Sequence, residues 1–204
     1  MSKMLLIREK TMERGYESAE ICKVCGGACC KANGCSLAPE DMMRELAAWQ
    51  VEREDSEAPD KRKSAGQAVE ADLRFLEEWL QESDCAIDSF TGEAGLCYYI
   101  RMRHKCFTFI GVDAMGECIA LTGQGCSLPY DRRPKGGRYL EGRQDRHCRQ
   151  HYTREQMEED WRPYQQLLRE IWDNWHDRLE QQGVFDRCEE AYMRYQMEMR
   201  RKQA

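Results

Sequence analysis

Apolar residues recur at helical spacing in the first half of the chain, with a period of three to four residues. Residues 39–54 begin with a proline and two acidic residues, which suit the first turn of a helix. A polar stretch, residues 55–64, predicts a linker, and residues 65–83 predict a second helix. The apolar faces of the two helices are Met42, Met43, Leu46, Trp49 and Val51 in the first, and Val69, Leu73, Leu76 and Leu80 in the second.

The last fifty residues carry the same period and predict two further helices. The first ends at Gly183, and the second covers roughly residues 185–201. Two starts are open for the first helix. Thr153 is the N-cap and Pro163 kinks the helix, or Asp160 is the N-cap and Pro163 lies in the first turn. The apolar face of this helix consists of Met157, Trp161, Tyr164, Leu168, Ile171 and Trp175.

Residues 84–128 have no helical period, and glycines, cysteines, aromatic and β-branched residues become more frequent there. Residues 98–112 show some alternation and predict one or two short strands. Residues 122–125, with two glycines, predict a turn.

Five cysteines fall within the fourteen residues C-K-V-C-G-G-A-C-C-K-A-N-G-C. Two thiolates separated by two residues can turn inward on one loop and bind one metal ion. Glycines in the run permit the backbone conformations that such a loop needs. The alternative is buried thiols or disulfides, but the spacing favours a metal-binding knuckle, the name used below for residues 22–35. Its cysteines are Cys22, Cys25, Cys29, Cys30 and Cys35.

The composition strengthens the metal interpretation. The 204 residues include twelve cysteines, while the apolar fraction is 41% and the charged fraction 33%. In such a lean core, metal ligation can supply folding free energy, since a structural zinc site contributes about 10–16 kcal/mol in small peptides. Neither a signal peptide nor a membrane span is expected, so we expect a cytoplasmic protein with reduced thiols. The net charge of −6 disfavours nucleic acid as a partner.

A second group of candidate ligands lies later in the chain. Cys118 and Cys126 are eight residues apart with the glycine turn between them, and they could bring a second ligand pair to the knuckle. Cys148 is a third candidate. His147 and His151 beside it could also bind zinc or iron, although a surface position in a polar loop is the simpler interpretation of both.

Seven basic residues lie between residues 131 and 149. They form a solvated loop, or they offset the negative charge of a thiolate cluster, or they bind an anionic ligand or an acidic partner. The sequence leaves the three interpretations open. The residues are Arg132, Arg133, Lys135, Arg138, Arg143, Arg146 and Arg149.

The cysteine motifs resemble the YkgJ-type cysteine-cluster family, whose C-x-x-C-x-x-C-C domains chelate zinc or iron and are related to flagellin lysine N-methylase. The resemblance rests on C-K-V-C-G-G-A-C-C and C-I-A-L-T-G-Q-G-C-S-L-P-Y-D-R-R-P, and it covers roughly residues 22–150. It implies metal ligands at Cys22, Cys25, Cys29, Cys30, Cys118 and Cys126.

The chain departs from the family pattern at two places. Three residues, rather than two, separate Cys25 from Cys29. The family usually has Cys-Arg three residues after the proline of the second motif, where this chain has Gly137 and Arg138. Cys148 or a histidine replaces the missing ligand, or the site has one thiolate fewer, or it keeps an open coordination position that would favour catalysis.

These observations predict a mainly α fold, with helices around an irregular, metal-bound, cysteine-rich centre and at most a short β-hairpin. Residues 1–150 form the cysteine-cluster metal-binding domain, and residues 151–204 form a helical segment packed on it. The aromatic helices of this segment offer a surface through which two copies of the chain could pair.

Three functions are compatible with the sequence. The first is a protein that binds zinc or an iron–sulfur cluster for a structural or accessory purpose, such as metal handling or docking of a protein partner. The second, implied by the resemblance, is an enzyme that methylates a lysine of a protein substrate, although no G-x-G-x-x-G loop supports a Rossmann-type cofactor site. The third is an iron–sulfur redox module.

Overall fold

A computed structural model of the chain describes residues 35–56, 73–103, 117–123, 125–143 and 148–203. This part of the chain is mainly α-helical, as the sequence predicts, and it also carries small antiparallel sheets. The helices are α1 (Pro39–Ser56), α2 (Leu73–Glu82), α3 (Lys135–Arg138), α4 (Arg154–Trp161), α5 (Gln165–Gln181) and α6 (Val184–Gln203). The strands are β1 (Cys35–Ser36), β2 (Cys85–Gly92), β3 (Gly95–Met102), β4 (Leu121–Thr122), β5 (Gly125–Cys126), β6 (Leu140–Glu141) and β7 (Arg149–Gln150).

Helix α1 begins at Pro39, as predicted, and ends two residues beyond the expected boundary. Its apolar face is buried at Met42 and Leu46, whereas Val51 is 58% exposed and lies outside the core. Helix α2 ends close to the predicted boundary, and its expected first turns lie outside the described residues.

The structure decides between the two predicted starts of the C-terminal helices. Thr153 is the N-cap of α4: its side chain accepts a hydrogen bond from the Gln156 N–H, and the Gln156 side chain accepts one from the Thr153 N–H. Pro163 lies in a 3-10 turn, Arg162–Tyr164, which interrupts the helical pattern between α4 and α5. Gly183 follows α5 with a φ of 62°, a conformation that favours glycine.

The β structure is more extensive than the single short hairpin that the sequence predicts. Strands β2 and β3 are eight residues each and form an antiparallel hairpin, and β1 pairs with the other edge of β3, in the order β1-β3-β2. Cys35 of β1 and Cys85 of β2 both lie opposite Met102. Strand β2 was missed because Asp88 interrupts its apolar run, and that residue forms an ion pair with Arg101 of β3.

Side chains from α4 and α5 hold the hairpin. The Glu158 carboxylate accepts hydrogen bonds from the N–H groups of Glu93 and Ala94 at the hairpin turn, both at 3.1 Å. The Gln165 side chain accepts from the Tyr98 N–H at 2.8 Å and donates to the Tyr98 carbonyl at 2.7 Å. Gln165 thus satisfies two backbone groups of β3 where β1 does not reach.

One core joins the sheet to the helices on both sides of residue 150. The Trp161 indole N–H donates to the Leu37 carbonyl at 3.0 Å, and both residues are fully buried. Among the helices that the structure describes, none is long and apolar enough to cross a membrane. The largest buried apolar side chains of this core are Trp79, Trp161, Tyr152, Met42, Leu46, Leu76, Leu80, Ile87 and Ile100.

Candidate metal centre

Two cysteines that are 83 residues apart in the sequence lie side by side in the structure. The sulfur atoms of Cys35 and Cys118 are 3.5 Å apart, and the two residues are 3% and 1% exposed. Two thiolates on one tetrahedral zinc ion, each with a bond of 2.3 Å, are about 3.8 Å apart. The observed separation therefore fits two ligands of one metal ion after a shift of a few tenths of an ångström.

The ribbon formed by β4 and β5 returns Cys126 toward Cys118. Leu121 lies opposite Cys126, and the Leu121 N–H donates to the Cys118 carbonyl at 3.0 Å. The turn is closed by the Thr122 hydroxyl, which donates to the Gly125 carbonyl at 2.8 Å, and Gly125 has a φ of 106°. The predicted glycine turn is confirmed, and its physical basis is the positive φ that glycine tolerates.

These cysteines form a small buried cluster of their own, separate from the main core. Aliphatic and thioether side chains pack against these cysteines, and they would help to shield a metal–thiolate bond there from water. The name cysteine pocket is used below for this cluster: Cys35, Cys118 and Ala120, with Met102, Leu121, Cys126 and Leu128 packed against them.

Helix α3 forms one wall of the cysteine pocket with two glycines. A β-carbon at Gly137 would lie 3.2 Å from the sulfur of Cys35. A β-carbon at Gly136 would lie 2.8 Å from the backbone oxygen of Ser36, so a side chain there cannot be accommodated without a backbone shift. Glycine at both positions lets α3 lie directly against β1.

The buried carboxylate of Asp41 fastens α3 to α1. Its Oδ2 accepts hydrogen bonds from the backbone N–H groups of Ala38 and Lys135, at 3.1 and 2.6 Å. Its Oδ1 forms ion pairs with Arg44 and Arg138, at 3.1 and 3.3 Å. Asp41 is fully buried, so one side chain joins the first residues of two helices and thereby positions Gly137 on the cysteine pocket.

Lys135 forms ion pairs with two acidic side chains. Its Nζ lies 2.7 Å from Asp160, 3.5 Å from Glu40 and 4.7 Å from the centre of the Tyr152 ring. Burial lowers the pKa of Lys135, but the hydrogen bonds and charges of the two acids outweigh burial and raise the pKa above its ordinary value. Burial also raises the pKa of the Tyr152 phenol, and the charge of Asp160 adds to that shift.

The seven basic residues between residues 131 and 149 therefore have different roles in the structure. Lys135 and Arg138 are ion-paired inside the fold, so the solvated-loop interpretation does not hold for them. Arg132, Arg143 and Arg149 are exposed, as that interpretation predicts. Arg146 lies outside the described residues. The remaining member, Arg133, is half-buried, and its Nε donates to the Leu128 carbonyl at 2.9 Å.

Cys148 is half-buried immediately before β7 and is not among the described residues that form the cysteine pocket. Nearby, His151 Nε2 lies 2.7 Å from the Glu141 carboxylate, and the His151 N–H donates to the Tyr139 carbonyl at 2.8 Å. The hydrogen bond from His151 lowers the pKa of Glu141. His151 is thus engaged with the ribbon of β6 and β7, and His147 lies outside the described residues.

One other group of potential ligands occurs in the described part of the chain. Among those residues, only His176, Asp177 and Glu180 place three ligand atoms within 4.8 Å of one another. They lie on α5, and the two acids are exposed. The group has no sequence motif and no connection to the cysteine pocket.

Of the seven cysteines that the sequence and the resemblance nominate as ligands, the structure brings Cys118 and Cys126 to one pocket and leaves Cys148 out of it. The other four, Cys22, Cys25, Cys29 and Cys30, lie outside the described residues. Cys35 is in the pocket although the motif comparison did not nominate it. The available signal was its place in the same five-cysteine run, directly after the Asn33-Gly34 turn.

No protein-family model matches the chain, and neither a curated protein nor a solved structure does. The resemblance to the YkgJ-type family accordingly rests on the cysteine motifs and the residues that follow them.

Proposed function

We propose that this chain is a metal-binding protein that coordinates zinc or an iron–sulfur cluster through cysteines of the knuckle together with Cys118 and Cys126. The supporting observation is the contact of Cys118 with Cys35, the last cysteine of the knuckle, together with the packing of Cys126 against the same cluster. Three cysteines from two distant segments thus contribute to one pocket, although packing alone could use any small apolar side chain there.

The chain length between the pocket and the rest of the knuckle supports a shared site. Cys30 precedes Cys35 by five residues. Even a fully extended chain would therefore place the two residues at most about 18 Å apart. The C-x-x-C spacing upstream suits one metal ion, and the pocket adds a second group of thiols within that reach.

The separation of the Cys35 and Cys118 sulfur atoms favours some types of metal centre over others. At 3.5 Å, Cys35 and Cys118 fit two thiolates on the same ion. That arrangement occurs in a tetrahedral zinc site and on each iron of a two-iron cluster held by four cysteines. A four-iron cluster held by four cysteines takes one thiolate per iron, so the close pair supports the first two.

Burial supports a structural or accessory role over direct catalysis. The two sulfur atoms belong to residues that are 3% and 1% exposed, and a substrate would need access to the metal. The pocket also joins β1, α3 and the β4–β5 ribbon, so a metal bound there would cross-link segments that are far apart in the sequence. Such a cross-link stabilises a surface for a protein partner or holds metal for delivery.

The test is the metal content and visible spectrum of protein purified without oxygen. We expect either about one zinc or more per chain in a colourless protein, or iron with acid-labile sulfide and broad visible absorption. Cys118→Ser should lower the metal content at least twofold. Cys188→Ser is the matched control, because Cys188 is also buried, at 4% exposure, but belongs to the main core.

Two results would overturn the proposal. One is wild-type protein that carries no metal and takes up none from added zinc or from iron and sulfide. The other is a Cys118→Ser protein that keeps the wild-type metal content.

A further inference from the structure

We infer that Cys35, which neither motif nominates, is itself a metal ligand and supplies the thiolate that is absent at residue 137. The inference rests on the proposed metal-binding function and assigns one more residue to the same site. It is carried by the position of the Cys35 sulfur, which lies close both to the Cys118 sulfur and to Gly137.

The sheet holds Cys35 in a defined position. Strand β1 pairs with the end of β3, where Cys35 lies opposite Met102, and the Leu37 N–H donates to the Ile100 carbonyl at 2.9 Å. A ligand on a paired strand is positioned before the metal arrives, which lowers the entropic cost of binding. The sulfur lies 3.5 Å from that of Cys118, a few tenths of an ångström less than the separation of about 3.8 Å between two thiolates on one zinc ion.

The Cys35 sulfur also lies close to residue 137, which is glycine. A β-carbon at that position would lie 3.2 Å from the Cys35 sulfur and 3.6 Å from the β-carbon of Arg133. The Cys35 sulfur therefore lies in the space that a side chain at residue 137 would enter. One thiol fits between α3 and β1, and this chain carries it on β1.

The other candidates for the missing ligand are placed less well. Cys148 is not among the described residues of the cysteine pocket, and the Nε2 of His151 faces the Glu141 carboxylate. Within the described part of the chain, Cys35 is the residue beside Gly137 that carries a thiol.

The exchange of the thiol between the two positions is a direct test. Cys35→Ala removes the sulfur and the close contact with residue 137, and Cys35→Ala/Gly137→Cys returns a thiol from the opposite wall. We would measure zinc and iron per chain after dialysis of anaerobic protein against a chelator. We expect Cys35→Ala to retain less than half of the wild-type metal, the double variant to recover most of it, and Cys148→Ala to match wild type.

Cys35→Ser, which keeps the size of the side chain, provides a folded comparison if the alanine variant is unstable. Wild-type metal content in either single variant would overturn the assignment of Cys35 while leaving the metal function intact. A folded double variant that recovers no metal would do the same. Absence of metal from wild type would instead refute the proposed function itself.

Discussion

At the scale of single residues, Asp41 illustrates how one buried charge can position a site that it does not touch. Its two oxygens receive two backbone N–H groups and two guanidinium groups, and together these join the starts of α1 and α3. A buried carboxylate is stable only when its charge is compensated in this way. The arrangement assigns Arg138 to the support of the cysteine pocket rather than to a ligand outside the protein.

Asp41→Ala should therefore be among the most destabilising single substitutions in this part of the chain. It leaves a half-buried Arg138 and two backbone N–H groups without their acceptor, and we expect a loss of about 3–5 kcal/mol in the free energy of unfolding. Urea denaturation monitored by circular dichroism measures this loss in the free energy of unfolding. The comparison is Glu45→Ala, which removes a partly exposed pair with Arg44 and should cost at most about 1 kcal/mol. Equal losses would contradict the role given to Asp41.

At the scale of secondary-structure elements, β3 is the strand on which the fold is assembled. It pairs with β2 along eight residues and with β1 at its end, and the side chain of Gln165 from α5 covers its remaining edge. The fold shifts the pKa values of two of its side chains. Burial raises the pKa of Cys97 from 9.0 to about 11, and the charge of Glu158 adds to that shift. Burial likewise raises the pKa of Tyr99 to about 12.

The raised pKa of Cys97 predicts that the protein loses stability in alkaline solution. The folded state holds the Cys97 proton more tightly than the unfolded state does, so its contribution is complete below about pH 9 and is lost as the pH rises toward about 11. Thermal melts under reducing conditions between pH 8 and 11 should show a decreasing melting temperature. Cys97→Ala should lower the starting stability and make the decrease less steep. An unchanged slope in that variant would show that Cys97 does not cause it.

At the scale of the whole molecule, the cysteine pocket joins segments that are far apart in the sequence. Strand β1, the β4–β5 ribbon and α3 meet there, while the main core is built from the sheet and the longer helices. A metal bound by both the knuckle and the pocket would close loops of more than eighty residues. Since such long-range links restrict the unfolded chain, we expect the metal to contribute to the stability of the whole fold.

Cys22→Ser and Cys25→Ser test this expectation from the knuckle itself. Each removes a proposed ligand, so each should lower the metal content and the melting temperature together. Cys188→Ser should retain the wild-type metal content, because Cys188 lies on α6 in the main core. If the knuckle variants kept their metal and melted at the wild-type temperature, the metal interpretation of residues 22–35 would be wrong.

The sequence by itself determined the features that depend on neighbours along the chain. The start of α1 at Pro39 and the turn closed by Gly125 follow from local backbone preferences. For the C-terminal helices the sequence left two N-caps open, and the structure selected Thr153. The stripes of apolar residues likewise predicted which faces of the helices are buried. The apolar pattern did not predict strand β2, because it contains Asp88, whose charge is compensated by Arg101 on another strand.

Only the tertiary structure decided which distant residues share the candidate site. The sequence nominated Cys118 and Cys126, but it could not place Cys35 beside Cys118 or Gly137 beside Cys35. Those contacts depend on the pairing of β1 with β3 and on the bonds of Asp41 to α3. No local preference encodes such pairings, because they form only when the free energy of packing offsets the entropy of closing long loops.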